Sequence, residues 1–167
     1  ETARRSIGLL WYRPAVEQLE AILARSQEAN ALIVGHASAP LEVIYELTAL
    51  IRAGQILPQL EAKHPKLLRT AILLSRFKDR QGLEAELVKI FDEICRSGNV
   101  ILMIDDLPSF AAHASALGAN LEQLLDPYLS SNRIQVVALA ENDGYHRVLE
   151  SNSSWRERFE LVQLKGS

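Results

Sequence analysis

The feature that most constrains the fold is a series of five short apolar runs with helix-like segments between them. The runs are rich in Val, Ile and Leu and are continuous rather than alternating, which is typical of strands buried on both faces. They are Ala31–Val34, Thr70–Leu74, Val100–Ile104, Ile134–Leu139 and Phe159–Leu164. Apolar residues at helical spacing occur in Pro14–Arg25, Leu41–Ala53, Leu83–Ile94, Leu121–Leu129 and Gly144–Leu149, and Pro14 is expected in the first turn of its helix. This alternation predicts a parallel five-stranded α/β sheet flanked by helices.

Composition narrows the class of protein. The 167 residues fit one domain over positions 1–167, and the chain reads as an excised piece of a longer protein. The charge is −3, with 18 Lys and Arg against 21 Asp and Glu and no basic run, so nucleic acid and anionic membranes are not expected partners. Cys95 is the only cysteine, which excludes internal disulfides and favours a reducing, cytoplasmic setting. No apolar stretch approaches the ~20 residues of a membrane span.

Open α/β sheets bind ligands beyond the carboxyl ends of their strands, so the loop after each predicted strand is a candidate site. Those loops are Gly35–Pro40, Ser75–Arg80, Asp105–Ser109 and Ala140–Asp143. No metal site is predicted from the histidines, because none has the i,i+4 partner that helical metal motifs use. The chain also has no glycine-rich loop, since its eight glycines are scattered singly.

Asp105 and Asp106 directly follow the apolar run Val100–Ile104. A strand that ends in two carboxylates is how P-loop nucleotidases hold magnesium and polarise the attacking water. The alternative is structural: a solvated strand end, or an N-cap for the segment Leu107–Ala116.

The turn Gly35–Glu42 leaves the first predicted strand and enters a helix, which is the place of a phosphate-binding loop. The pattern G-x-x-x-x-G-K-[ST] needs a second glycine, a phosphate-binding lysine and a magnesium-binding hydroxyl, but Pro40, Leu41 and Glu42 stand there. A charge-assisted hydrogen bond is worth about 1.5–3 kcal/mol and a neutral one about 1. Losing the lysine and one amide is therefore expected to cost roughly 3–4 kcal/mol, a factor of a few hundred in affinity.

Several short motifs occur in a specific order along nearly the whole chain. They are Ser6–Gly8, Asn30–Gly35, Ile51–Pro58, Gly98–Asp106, Leu125–Leu129, Arg133–Ala138, Tyr145–Arg147 and Glu157–Phe159. Their order resembles the first AAA+ module of the Clp unfoldases, the ClpB/ClpC/ClpA family. The corresponding family motifs are V-I-G, N-P-V-L-I-G, I-x-x-G-x-V-P, G-N-I-I-L-F-I-D-E, L-K-P-x-L, L-x-x-I-G, Y-R-K and R-R-F.

The resemblance implies a P-loop NTPase-like fold, binding of ATP or ADP with Mg, a hexameric ring, protein substrates and a Clp protease partner. It also implies a small helical lid subdomain after the fifth strand, which this chain lacks. The nucleotide-binding places of the family fall on Ile7, Gly8, Gly35, His36, Ala37, Ser38, Ala39, Pro40, Leu41 and Glu42.

The resemblance also assigns other functional residues of the family to single positions of this chain. The magnesium aspartate is Asp105 and the catalytic glutamate is shortened to Asp106, while the sensor-1 region falls on Ala140 and Glu141. Of the two arginines that reach a neighbouring subunit's nucleotide, Arg158 remains and the other is Glu157. The pore loop maps to Phe77, Lys78, Asp79 and Arg80, where Asp79 is nearest the aromatic's place and Phe77 is its only substitute.

The sequence therefore predicts a degenerate, hydrolysis-incompetent AAA+ large subdomain that serves ring assembly and substrate positioning. One alternative is an active ATPase, with Asp106 polarising water and the backbone amides of His36–Ala39 holding phosphate. A second is a response-regulator receiver, which the position of the acidic pair after the third predicted strand opposes. A third is a non-enzymatic interaction domain that forms no ring.

Overall fold

The computed structural model describes residues 2–164, and it describes the side chains of residues 13–164. These residues form one parallel sheet in the order β2-β3-β4-β1-β5. The strands are β1 (Asn30–Gly35), β2 (His64–Leu68), β3 (Val100–Ile104), β4 (Gln135–Glu141) and β5 (Glu160–Gln163). The predicted α/β fold class is confirmed.

Helices lie on both faces of the sheet. They are α1 (Thr2–Leu23), α2 (Ala39–Arg52), α3 (Thr70–Arg76), α4 (Arg80–Ser97), α5 (Leu107–Ala116), α6 (Leu121–Leu129), α7 (Asn142–Gly144) and α8 (Ser153–Arg158). A 3-10 turn over Pro58–Leu60 and a π-helical segment over Tyr145–Leu149 complete the described elements. No helix of the described part is long and apolar enough to cross a membrane.

The two faces of the sheet bury two separate apolar layers. Side chains alternate along each strand, so Ala31 and Ile33 of β1 face α1 and α2, whereas Leu32 and Val34 face α4, α5 and α6. Both sets are fully or almost fully buried. The sequences of β1, β3 and β4 are continuously apolar because helices cover both faces of these strands.

The second strand was predicted in the wrong place. The apolar run Thr70–Leu74 lies in α3, and the strand is the preceding segment His64–Leu68. Because β2 is an edge strand paired only with β3, its side chains are exposed or half-buried, so it does not show the apolar signature of a central strand. The candidate loop Ser75–Arg80 is consequently not at a strand end.

Helix boundaries also differ from the prediction. Pro14 lies inside α1, so it does not mark the first turn of that helix. Helix α4 is longer than the predicted Leu83–Ile94, because Asp79 caps its start by accepting a hydrogen bond from the Gly82 N–H at 2.7 Å. Gly98 ends α4 in the left-handed conformation, with φ at 75°.

Candidate functional site

The parallel strands all end at one edge, where the predicted nucleotide site should lie. The turn after β1 and the aspartates after β3 both lie at this carboxyl edge, with β4 between their strands. The end of β1 and the end of β4 are in register, with Gly35 opposite Glu141. The structure therefore brings the predicted phosphate turn and the predicted magnesium aspartates to the same edge.

The connection from β1 to α2 is a short turn of three exposed residues, His36, Ala37 and Ser38. Ala37 adopts a left-handed conformation with φ at 50°, which an alanine adopts at some energetic cost. The Ala39 N–H donates to the carbonyl of His36 at 3.0 Å, so this amide has a partner within the turn. Helix α2 then begins at Ala39, one residue before the place of the second glycine in the phosphate-loop pattern.

The residues at the start of α2 are used for packing. Ala39 and Pro40 are buried, and Leu41 is half-buried against the apolar layer beneath α1 and α2. Pro40 has no N–H to offer a phosphate. Glu42, which stands at the place of the magnesium-binding hydroxyl, is exposed in the first turn of the helix.

Gly35 is the one glycine that the turn keeps, and packing accounts for it. A Cβ placed on Gly35 would lie 2.9 Å from Cδ1 and 3.1 Å from Cβ of Leu164. Leu164 is itself buried, and its N–H donates to the carbonyl of Val34 at 2.8 Å. The close approach of the chain after β5 to the end of β1 therefore requires a residue without a side chain here.

Asp105 is engaged by a residue that the sequence did not single out. Its Oδ1 accepts hydrogen bonds from the Thr70 N–H at 3.1 Å and from the Thr70 hydroxyl at 2.8 Å. Thr70 is 3% exposed and begins α3. The carboxylate predicted to hold magnesium thus fastens the first turn of α3 to the end of β3.

Asp106 is the N-cap of α5. Its Oδ1 accepts a hydrogen bond from the Ser109 N–H at 3.1 Å, and Pro108 occupies the first turn, where its missing N–H is harmless. This is the structural alternative stated for the acidic pair. Asp106 also lines a cleft of about 460 Å³ together with Glu141, Asp143, His113 and Arg147.

That cleft is unsuited to phosphate, because three carboxylates face one guanidinium there. At the predicted sensor-1 place, Ala140 is buried in β4 and Glu141 is exposed at its end. Among the residues that the structure describes, no group of three or more His, Cys, Asp or Glu could hold a metal ion.

The predicted pore-loop residues connect α3 to α4. Phe77 is half-buried and packs against the apolar layer beneath α4, while Lys78, Asp79 and Arg80 are exposed. Asp79, which is nearest the place of the family's aromatic residue, caps α4. Ile7 and Gly8 belong to the part of α1 whose side chains lie outside the described residues.

Arg158 lies at the opposite, amino edge of the sheet, just before β5. Its Nε donates to Oδ1 of Asp126 at 2.6 Å and its Nη1 to Oε1 of Glu28 at 3.0 Å. These contacts, chiefly the hydrogen bond to Asp126, raise the pKa of Arg158 above its usual value. The guanidinium is therefore held within its own chain, by an aspartate at the place of the lysine in the L-K-P-x-L motif.

Sequence reasoning missed Thr70 and Asp126 as partners of predicted site residues. Thr70 follows β2 by two residues, and the pairing of Leu68 with Ile104 places it beside Asp105. A correctly placed edge strand would have pointed to this contact. Asp126 was visible in the sequence as a departure from the L-K-P-x-L motif, and its charge is opposite to that of the family's lysine.

No protein-family model matches the chain, but curated proteins do. A probable ATP-dependent Clp protease ATP-binding subunit of Chlamydia pneumoniae is 28% identical over 149 residues, which are 88% of this chain and 18% of that protein. The chaperone protein ClpC2, chloroplastic, of Arabidopsis thaliana is 27% identical over 91% of this chain and 16% of its own length. The chaperone protein ClpB of Aquifex aeolicus is 29% identical over 88% of this chain and 15% of its own length. The chain thus spans less than a fifth of each of these relatives.

Proposed function

We propose that this chain, which is 27–29% identical to Clp-type proteins over 88–91% of its length and has a five-stranded parallel α/β sheet, is the large α/β part of one AAA+ module in a Clp-type unfoldase or chaperone. In this proposal the module binds ATP weakly or not at all and does not hydrolyse it. It serves to assemble a hexameric ring and to position protein substrates, while another AAA+ module of the same protein supplies the power stroke. A Clp protease partner and a cytoplasmic location belong to the same proposal.

The observation that carries the proposal is the turn between β1 and α2. A phosphate loop works by directing several free backbone N–H groups at the ligand and adding a lysine. Here the Ala39 N–H is bound to the carbonyl of His36, Pro40 has no N–H, and the lysine's place is held by the half-buried Leu41. Each of these differences removes a donor that would stabilise bound phosphate.

The ends of β3 and β4 support the same conclusion. Thr70 already donates two hydrogen bonds to the Asp105 oxygen that would be available to magnesium-bound water. Asp106 caps α5, and its side chain is one methylene shorter than the family's glutamate. Glu141 at the sensor-1 place adds a negative charge near the position where a γ-phosphate would lie, which opposes anion binding.

Titration calorimetry with ATP and magnesium tests the proposal. We expect no saturable heat up to millimolar ATP, both for the 167-residue chain and for a full-length protein in which any second AAA+ module has been inactivated. A dissociation constant in the low micromolar range would contradict the proposal and favour the active-ATPase alternative, with the amides of His36–Ala39 holding phosphate.

A non-enzymatic interaction domain without a ring is the second candidate, and the contacts of Arg158 favour it. In a ring, the family's arginine extends to the nucleotide of the neighbouring subunit, but here Asp126 and Glu28 hold it. Sedimentation of the full-length protein separates the two candidates. A hexamer supports the ring, and a monomer at all concentrations, with and without nucleotide, supports the interaction domain.

A further inference from the structure

The outer edge of β2 is open. Among the described strands, β2 pairs only with β3, and it lies at one end of the sheet. Every second residue from His64 to Leu68 bonds to β3, and the last of these bonds joins the Leu68 carbonyl to the Asp105 N–H at 3.3 Å. The carbonyl of Pro65 and both backbone groups of Leu67 therefore point away from the sheet. An extended chain laid beside β2 would meet these groups at the spacing of a strand ladder.

A groove of about 230 Å³ lies beside β2 on the side of α4. Its lining is mainly apolar and includes Leu68 of β2 and both Ile90 and Ile94 of α4. The volume is below the roughly 300–1,000 Å³ of small-molecule sites, so the groove suits single apolar side chains. Because side chains alternate in direction along a strand, every second side chain of an added strand would point to this groove.

The residues around the open edge are basic. Residues 62–78 include five lysines and arginines and no aspartate or glutamate, although the whole chain has a net charge of −3. Lys66 on β2 and Arg69 directly after it are both exposed. The groove lining includes one carboxylate, Glu93, and it belongs to α4. A partner with acidic groups along β2 would therefore be attracted to this edge.

The same residues oppose two other occupants. A second copy of the chain that paired through its own β2 would bring the basic residues of the two edges together, and like charges across a strand pair are destabilising. Pro65 also limits such self-pairing, because it has no N–H. A single-stranded nucleic acid binds by stacking its bases on exposed aromatic rings, but Phe77, the only Phe, Tyr or Trp in residues 62–78, is half-buried.

We propose that β2 binds an extended acidic segment of a partner protein, which adds to the sheet as a further strand. The main chain of the segment bonds to Pro65 and Leu67, its alternate apolar side chains enter the groove beside α4, and its carboxylates lie near Lys66 and Arg69. This binding requires neither a nucleotide nor a ring, so it goes beyond the proposed function and can be tested independently of it.

Amide NMR spectra of the labelled 167-residue chain, titrated with the capped peptide Asp-Glu-Ile-Glu-Ile-Glu-Asp, test this proposal. We expect saturable shifts at Leu67, Leu68, Ile90 and Ile94. Serine in place of both isoleucines of the peptide is expected to weaken binding about tenfold, because the groove then buries less apolar surface. Shifts confined to the exposed segment 78–81, or tighter binding of oligothymidylate than of the peptide, would overturn the proposal.

Methylation of the peptide's backbone nitrogens separates an added strand from simple charge attraction. The N–H groups of successive residues in a strand point to opposite sides, so either the isoleucines or the glutamates direct their N–H groups at β2. We expect N-methylation of one set to abolish binding and N-methylation of the other set, the matched control, to leave it unchanged. Equal effects of the two sets would overturn the proposal.

A charge reversal at the edge, with a control of the same charge, locates the site on the protein. Arg69→Glu is expected to weaken binding of the peptide about tenfold, because an attraction becomes a repulsion. Arg133→Glu, at an exposed arginine before β4, changes the net charge of the chain equally and is expected to leave the affinity unchanged. Full-strength binding to folded Arg69→Glu, or equal weakening by both folded variants, would overturn the proposal.

Discussion

The ends of β1 and β3 lie at the same edge of the sheet, but they depart from an ATP site in different ways. After β1 the side chains themselves differ, since Pro40, Leu41 and Glu42 replace the groups that hold phosphate and magnesium. After β3 the family's magnesium aspartate is kept as Asp105. However, the carboxylates of Asp105 and Asp106 accept hydrogen bonds from Thr70 and Ser109 of their own chain. A retained carboxylate is therefore weak evidence for a metal site until its hydrogen-bond partners are known.

The largest expected effect comes from restoring the turn after β1. The triple variant Pro40→Gly, Leu41→Lys, Glu42→Thr returns the missing donor groups and is expected to raise ATP affinity by a few hundred-fold, corresponding to roughly 3–4 kcal/mol. Titration calorimetry measures the gain. As a control, Tyr45→Lys places a lysine one helical turn further along α2, on its exposed face, and should produce none of it. Equal affinity of the folded triple variant and the parent chain would show that these side chains do not account for the loss.

A second comparison is between the Thr70 hydroxyl, which is bound to Asp105 at the end of β3, and the Ser38 hydroxyl in the turn after β1. Thr70→Val removes a buried donor to a carboxylate and is expected to lower the free energy of unfolding by about 1.5–3 kcal/mol. Ser38→Ala removes an exposed hydroxyl that makes no cap hydrogen bond, and its effect should stay within about 0.5 kcal/mol. Urea unfolding curves of both variants measure the difference. Similar losses would mean that the Asp105 contact does not distinguish the end of β3 from the end of β1.

The smallest effect is expected at Asp106. Asp106→Ala should destabilise the chain by about 1 kcal/mol through loss of the α5 cap, and Asp106→Asn, which also caps helices well, by only a few tenths. Thermal unfolding monitored by circular dichroism separates the two. If the Asp106→Ala variant were as stable as the parent chain, Asp106 would not be acting as a cap. That result would favour its role as the shortened catalytic glutamate.

Whether the sequence predicts a strand depends on how deeply the side chains of that strand are buried. The central strands β1, β3 and β4 show as continuous apolar runs because helices cover both of their faces, and the capping alternative for Asp106 follows from its place before Leu107. The edge strand β2 could not be found in the same way, because His64, Pro65 and Lys66 carry no buried pattern. The Thr70 contact joins residues 35 positions apart, so it depends on strand pairing that no local pattern reveals.

Whether the turn between β1 and α2 holds phosphate can be tested directly through the amide NMR signals of its residues. NMR spectra of the labelled chain can be recorded with magnesium and increasing ATP. We expect the amide signals of His36, Ala37, Ser38 and Ala39 not to move as ATP is added. Saturable shifts at these four amides, at micromolar ATP, would contradict this expectation.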